Sequence, residues 1–132
     1  MTFDEAADFS EKTVFEQPVA FKEPASFQRE SSFDEPATFH GPVTFPGQAP
    51  FRGPATFHGP AAFHKQVHFD GPVTFEGPVR FNKRATFADL ARFEKLATFK
   101  GNVDFEENPS FATTVSFKRS ATFEGQLIFK DG

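Results

Sequence analysis

Every sixth residue from Phe3 to Phe129 is phenylalanine, 22 in all, with no slip, insertion or missing member. With Phe as position i, position i+4 is Ala or Val in 17 of the 21 hexads that have one, the exceptions being Thr13, Ser31, Pro109 and Leu127. Each repeat therefore places a small residue two positions before a Phe, and that separation puts both side chains on one face of a strand. The residues between and after them are polar or charged, as Thr38 and His40 are around Phe39, and Arg80 and Asn82 around Phe81. Each hexad thus predicts a short strand followed by a corner at i+2 and i+3. Gly and Pro collect at that corner, in Gly41-Pro42, Gly53-Pro54, Gly59-Pro60, Gly71-Pro72 and Gly77-Pro78. Gly supplies unusual φ and Pro restricts it, which is turn chemistry. A helix fails because a period of six does not hold Phe on one helical face and the prolines would break its hydrogen-bond ladder. Collagen fails because Gly does not recur at every third residue.

The prolines count the sides of a coil. At the corner they occupy 18, 24, 36, 42, 54, 60, 72 and 78, two prolines and then a gap, repeating every 18 residues. The gaps hold Glu30, Gln48, Gln66 and Arg84, and Leu90 and Leu96 continue the paired positions with Asn102 in the gap. A four-hexad coil would stack Pro42 on Gln66 and Pro60 on Arg84, so three hexads make a coil. The expectation is an all-β, single-stranded parallel β-helix, a triangular β-solenoid of about seven 18-residue coils forming one domain over residues 1–132. With strands about 4.8 Å apart, the rod is roughly 35 Å long. Three Phe per coil fill the interior, stacked on those above and below, and Ala or Val fills the space left between them.

Composition adds limits. The 132 residues suit one domain. All of the 17% aromatic content is Phe, and abundant Gly and Pro with modest apolar content would by themselves suggest disorder. The strict period overrules that, because a periodic apolar residue is how stacked repeats build a core. There is no cysteine, hence no disulfide or thiolate chemistry. No apolar run approaches the roughly 18 residues of a membrane span, and Met1-Thr2-Phe3-Asp4-Glu5 is not a signal-peptide start. A soluble cytoplasmic protein without membrane contact is expected.

Charge sorts by side when the sequence is folded at 18. The side around Phe9, Phe27, Phe45, Phe63, Phe81, Phe99 and Phe117 carries Lys12, Arg29, Lys65, Arg80, Lys83, Arg84, Lys100, Lys118 and Arg119 against three acids, a net of +6. The side around Phe15, Phe33, Phe51, Phe69, Phe87, Phe105 and Phe123 carries Glu16, Asp34, Glu35, Asp70, Asp89, Asp104, Glu106, Glu107 and Glu124 against Arg52, a net of −8. Lys65 then stacks on Lys83 and Glu106 on Glu124. Like charges directly across strands destabilise, so the segregation has a cost. Solvent and salt screen such ladders on a merely solvated surface; on a functional one, each side meets something of opposite sign.

Other candidates are less specific. His40 and His58 fall one coil apart, near enough to share a metal ion, but exposed solvated histidines are the commoner case. Thr38, Thr56 and Thr74 form a single file that strand propensity explains. No phosphate loop, nucleophile-base pair or zinc-ligand spacing appears, so no catalytic residue, cofactor or metal is expected. No polar cap covers the terminal coils, and the bare stretch Gln126-Leu127-Ile128-Phe129 marks Leu127, Ile128 and Phe129 as an end contact for another chain or for a longer solenoid.

Two families are similar to this chain in repeat pattern along its whole length. Ala37-Thr38-Phe39-His40-Gly41 and Ala55-Thr56-Phe57-His58-Gly59 resemble pentapeptide repeats, here with a sixth residue added to each. That family forms right-handed, four-sided β-helices. A large apolar residue with a small one four later also resembles hexapeptide repeats, which form left-handed, three-sided β-helices of 18-residue coils. Phe here replaces their usual aliphatic residue, and Gly stands at i+2 rather than i+1. The coil size favours the left-handed form. The hexapeptide family includes acyltransferases, which need a catalytic His and usually looped-out segments; no insertion interrupts these repeats. The function expected is a non-enzymatic scaffold presenting charged flat faces for self-assembly, lateral or end to end, or for docking another protein. The pentapeptide resemblance implies a second reading, a DNA mimic that occupies a topoisomerase such as gyrase. Nucleic-acid binding through the basic side is a third, disfavoured because no outward aromatic interleaves with its Lys and Arg.

Overall fold

The structure is a computed structural model that describes residues 1–125 and the backbone of the strand Ile128–Phe129. The chain winds into a parallel β-solenoid of about seven coils with 18 residues per turn, and each coil contributes one strand to each of three sheets. The sheets contain eight, seven and seven strands. Sheet A begins with Thr2–Phe3 and Val19–Phe21, sheet B with Ala7–Phe9 and Ala25–Phe27, and sheet C with Thr13–Phe15 and Ser31–Phe33. Numbered along the rod, coil 4 spans residues 55–72, coil 5 spans 73–90, coil 6 spans 91–108 and coil 7 begins at 109.

Register is set residue for residue at a separation of 18: Ala55 pairs with Val73, Thr56 with Thr74 and Phe57 with Phe75. Most strands have three residues, small-outward-Phe, with the first and third buried, as in Ala37–Phe39 and Val43–Phe45. The alternation of backbone donors explains where proline is tolerated. The inward small residue donates forward to the corner of the next coil, as Ala37 N–H does to the Pro54 carbonyl at 3.0 Å. The residue after Phe donates backward, as His40 N–H does to the Phe21 carbonyl at 2.8 Å. Position i+3 serves the ladder only as an acceptor, so a proline there removes no bond.

The core is a column of rings behind each sheet. Phe39 stacks on Phe57 with centroids 4.8 Å apart and planes 7° from parallel, and Phe57 stacks on Phe75 at 4.9 Å. Between columns the rings meet edge to face, Phe39 with Phe45 at 5.7 Å and 83° and with Phe51 at 6.3 Å and 81°. Both geometries suit the ring quadrupole, which is negative on the face and positive at the edge. The expected Phe ladder is present, and the edge-to-face contacts tie its three columns together.

The corners correct one expectation. None of the described glycines has the positive φ that turn chemistry suggested. Gly59 is needed for a different reason: a Cβ there would come within 2.8 Å of the Gly41 carbonyl carbon one coil below. Successive corners pass too closely for a side chain at that point.

Candidate functional site

A three-residue strand has one residue pointing straight out, so most outward charges sit at the corners. Among the basic candidates only Arg80 lies on a flat strand, at the centre of Val79–Phe81. Arg29, Lys65, Lys83 and Arg119 occupy position i+2 at the bend, Lys100 and Lys118 follow directly after Phe, and Arg84 precedes the next strand. All seven lie on the corner between sheets B and C. The acidic candidates behave alike: Asp104 alone is on a strand, Val103–Phe105. Glu16, Asp34, Glu35, Asp70, Asp89, Glu106, Glu107 and Glu124 line the corner between sheets C and A. The molecule therefore carries a basic edge and an acidic edge, rather than charged flat faces, and sheet C lies between them.

Other outer side chains find partners one coil away, some of them on these same two corners. Lys12 pairs with Glu30 at 3.6 Å, Arg52 with Asp34 at 3.4 Å, and Asn82 bonds His64 at 3.0 Å. Within its own hexad His68 contacts Asp70, and Arg92 pairs with Glu94 at 2.6 Å. Among the described residues Lys65, Lys83, Arg84, Lys100, Lys118 and Arg119 have no ion pair, and neither do Glu106, Glu107 and Glu124. The six bases are all exposed. The reason is positional: none of the nine has a residue of opposite charge 18 positions away.

A shallow groove runs up each side between the corner residue at i+3 and the outward strand residue. On sheets A and B its corner wall is largely Pro and Leu, and polar strand residues stand opposite. On sheet A, Pro72, Leu90, Thr74 and Arg92 border about 400 Å³. On sheet B, Pro60, Pro78, Leu96 and Ala62 border about 330 Å³. On sheet C the walls are polar: Gln48, Gln66, Arg84, His68 and Thr86 around about 120 Å³. These glutamines were not among the candidates. The gap in the proline pattern was the signal that could have found them, since it marks the one corner column that stays polar.

His40 and His58 do come together, stacked at 4.9 Å with planes 7° apart. Ring-nitrogen lone pairs lie in the ring plane, so face-to-face stacking aims them sideways in parallel rather than at a shared ion. His58 Nδ1 instead meets Glu76 Oε1 at 2.9 Å. Among the described residues no three His, Asp or Glu are grouped to hold a metal. Thr38, Thr56 and Thr74 are in register on sheet A, bounded by Ala20 and Arg92. Of the end contact, Leu127 lies outside the described residues. The strand Ile128–Phe129 pairs with Ser110 and Phe111, and its side chains lie outside the description too.

No family model matches the chain, and neither a similar curated protein nor a similar solved structure is found. The solenoid architecture thus stands on the repeat and its geometry alone.

Proposed function

We propose that this protein is a non-enzymatic interaction scaffold, a rigid rod that associates sideways through its two charged edges with further copies or with a protein of opposite charge. The observation that carries this reading is the unpaired basic edge, Lys65, Lys83, Arg84, Lys100, Lys118 and Arg119, on a molecule whose other outer side chains repeatedly pair across coils. Stacking like charges costs stability, and an opposing charged surface offsets that cost. The core supports rigidity, since among the described residues each coil up to the seventh is joined to the one before it by backbone bonds and by three ring stacks, as Phe93–Phe111, Phe99–Phe117 and Phe105–Phe123 join the sixth and seventh. The three-sided coil of 18 residues supports the hexapeptide-repeat side of the resemblance over the four-sided pentapeptide one.

The test is sedimentation velocity on a concentration series at low and high salt, with interference optics because the chain has no Trp or Tyr. Assemblies that dissolve as salt rises support edge-driven self-association. A monomer of 14.7 kDa at every salt overturns it. Inhibition of gyrase supercoiling would instead favour the DNA-mimic reading, which the basic edge beside the acidic one opposes. A salt-dependent shift of labelled duplex would favour nucleic-acid binding.

A further inference from the structure

Sheet C is a self-complementary surface. We propose that two copies of this chain pair face to face through sheet C as parallel rods about a two-fold axis running along them, an inference that rests on the scaffold reading above. Sheet C is bounded on one side by the basic edge and on the other by the acidic edge. A half-turn about an axis parallel to the rods lays sheet C on sheet C and exchanges left for right. Each basic edge then meets the partner's acidic edge, twice over, as an isologous contact requires. A half-turn about an axis across the rods lays like edge on like edge and is repulsive.

The match holds coil by coil where the charges are densest. In coil 4 Lys65 faces Asp70 of the second copy. In coil 5 Lys83 and Arg84 face Asp89. In coil 6 Lys100 faces Glu106 and Glu107, and in coil 7 Lys118 and Arg119 face Glu124. The hexads of sheet C carry this pattern within themselves, a base before the strand and an acid after it. The midline is low enough for close approach, with Pro50, Thr86 and Thr122 joined by His68 and Asp104. The polar corner residues Gln48 and Gln66 offer hydrogen bonds there, whereas Pro60, Pro72, Pro78, Leu90 and Leu96 at the equivalent corners do not. A side of six residues and seven coils measures roughly 20 Å by 34 Å, so two copies would bury about 1,300 Å², within the range of specific interfaces.

The test uses two full-length variants, Lys83→Glu/Arg84→Glu/Lys100→Glu and Asp89→Lys/Glu106→Lys/Glu107→Lys, in low-salt sedimentation. Each alone repels its own copy on both edges, and self-association should weaken roughly tenfold or more. Mixed one to one they attract on both edges, and association should return to within about threefold of wild type. Circular dichroism checks that each variant folds. An independent measurement exploits the absence of cysteine: Thr122→Cys, exposed in coil 7, should form a disulfide dimer on oxidation, while Thr56→Cys on sheet A should not. In the crosswise arrangement Thr122 would lie far from its own copy and stay reduced. Failure of the mixture to associate, or of Thr122→Cys to crosslink, while the wild type still shows salt-sensitive assembly overturns the sheet C geometry and leaves the scaffold reading standing. A wild type that is monomeric at all salts overturns both the sheet C pairing and edge-driven self-association.

Discussion

Pro50 stands 19 residues beyond Ser31, at the position from which an outward strand residue donates its N–H to the Ser31 carbonyl. Ala20 makes the equivalent bond to the Met1 carbonyl at 2.9 Å. Proline has no N–H to give, and the pairing of the two strands narrows to Phe33 with Phe51. The Ser31 hydroxyl beside it is buried without a hydrogen-bond partner. Four residues earlier Pro46 removes a second backward donor, and the Phe27 carbonyl takes a long 3.4 Å bond from Gly47 N–H in its place. The second and third coils are therefore joined less firmly at the corner between sheets B and C than elsewhere.

Ser31→Ala should stabilise the protein. Ala is the commonest residue at this inward position, and the substitution removes a buried unpaired hydroxyl, whose burial costs on the order of 1 kcal/mol or more. A gain of about 1 kcal/mol corresponds to a midpoint higher by about 3 °C at this chain length. Thermal melts followed by far-ultraviolet circular dichroism would show it, and a lower midpoint would mean that the hydroxyl has a role in the stack.

Truncating a ring in the middle of the stack should be far more damaging than near its start. Phe57 is fully buried, stacked on both sides and edge-on to its neighbours. Phe57→Ala should cost about 3–5 kcal/mol. Phe9 is half-buried and stacked on one side, on Phe27, so Phe9→Ala should cost less than half as much. Denaturant titration of the pair measures the difference; equal losses would contradict the packing described.

Gly59→Ala should destabilise, although replacing Gly usually helps by about 0.4–1 kcal/mol through the unfolded chain. The added Cβ meets the Gly41 carbonyl carbon at 2.8 Å and the Pro42 nitrogen at 3.1 Å. Both are backbone and cannot swing aside. Overpacking of this kind costs about 1–3 kcal/mol, which exceeds the entropic gain. A raised unfolding midpoint would show that the corners can spread.

Lys83→Glu should separate stability from association. It places a carboxylate next to Lys65 in the coil below and removes a like-charge stack, so the melting midpoint of the monomer should rise by about 1 °C at low salt. Self-association should weaken in the same buffer. If both fall together, the basic edge is part of what holds the fold rather than a surface for a partner.

Asp104→Asn should tighten pairing. Asp104 is the acid on the midline of sheet C and would face its own copy in a parallel pair, so neutralising it removes a repulsion. The dissociation constant at low salt should drop about threefold. A rise would indicate that Asp104 meets a base instead.

The phenylalanine spacing and the gap in the prolines were sufficient for the three-sheeted coil of 18 residues, its register and its buried residues. A repeat this strict leaves one way to bury a large ring and a small companion every six residues, and only three sides per coil stack proline on proline. The edges were another matter. The sequence grouped Lys83 and Glu106 with flat sides, because folding at 18 assigned each whole hexad, corner included, to the side of its Phe. The three-residue strand, with one outward place, decides that nearly all charge lies at the corners. Whether Lys65 or Glu107 has a partner likewise depends on residues 18 apart, brought together only by winding. The glycines follow the same logic: composition suggested a turn with special φ, while Gly59 is required by a backbone one coil away. Local pattern specified the coil, and contacts between coils decided what its surface can do.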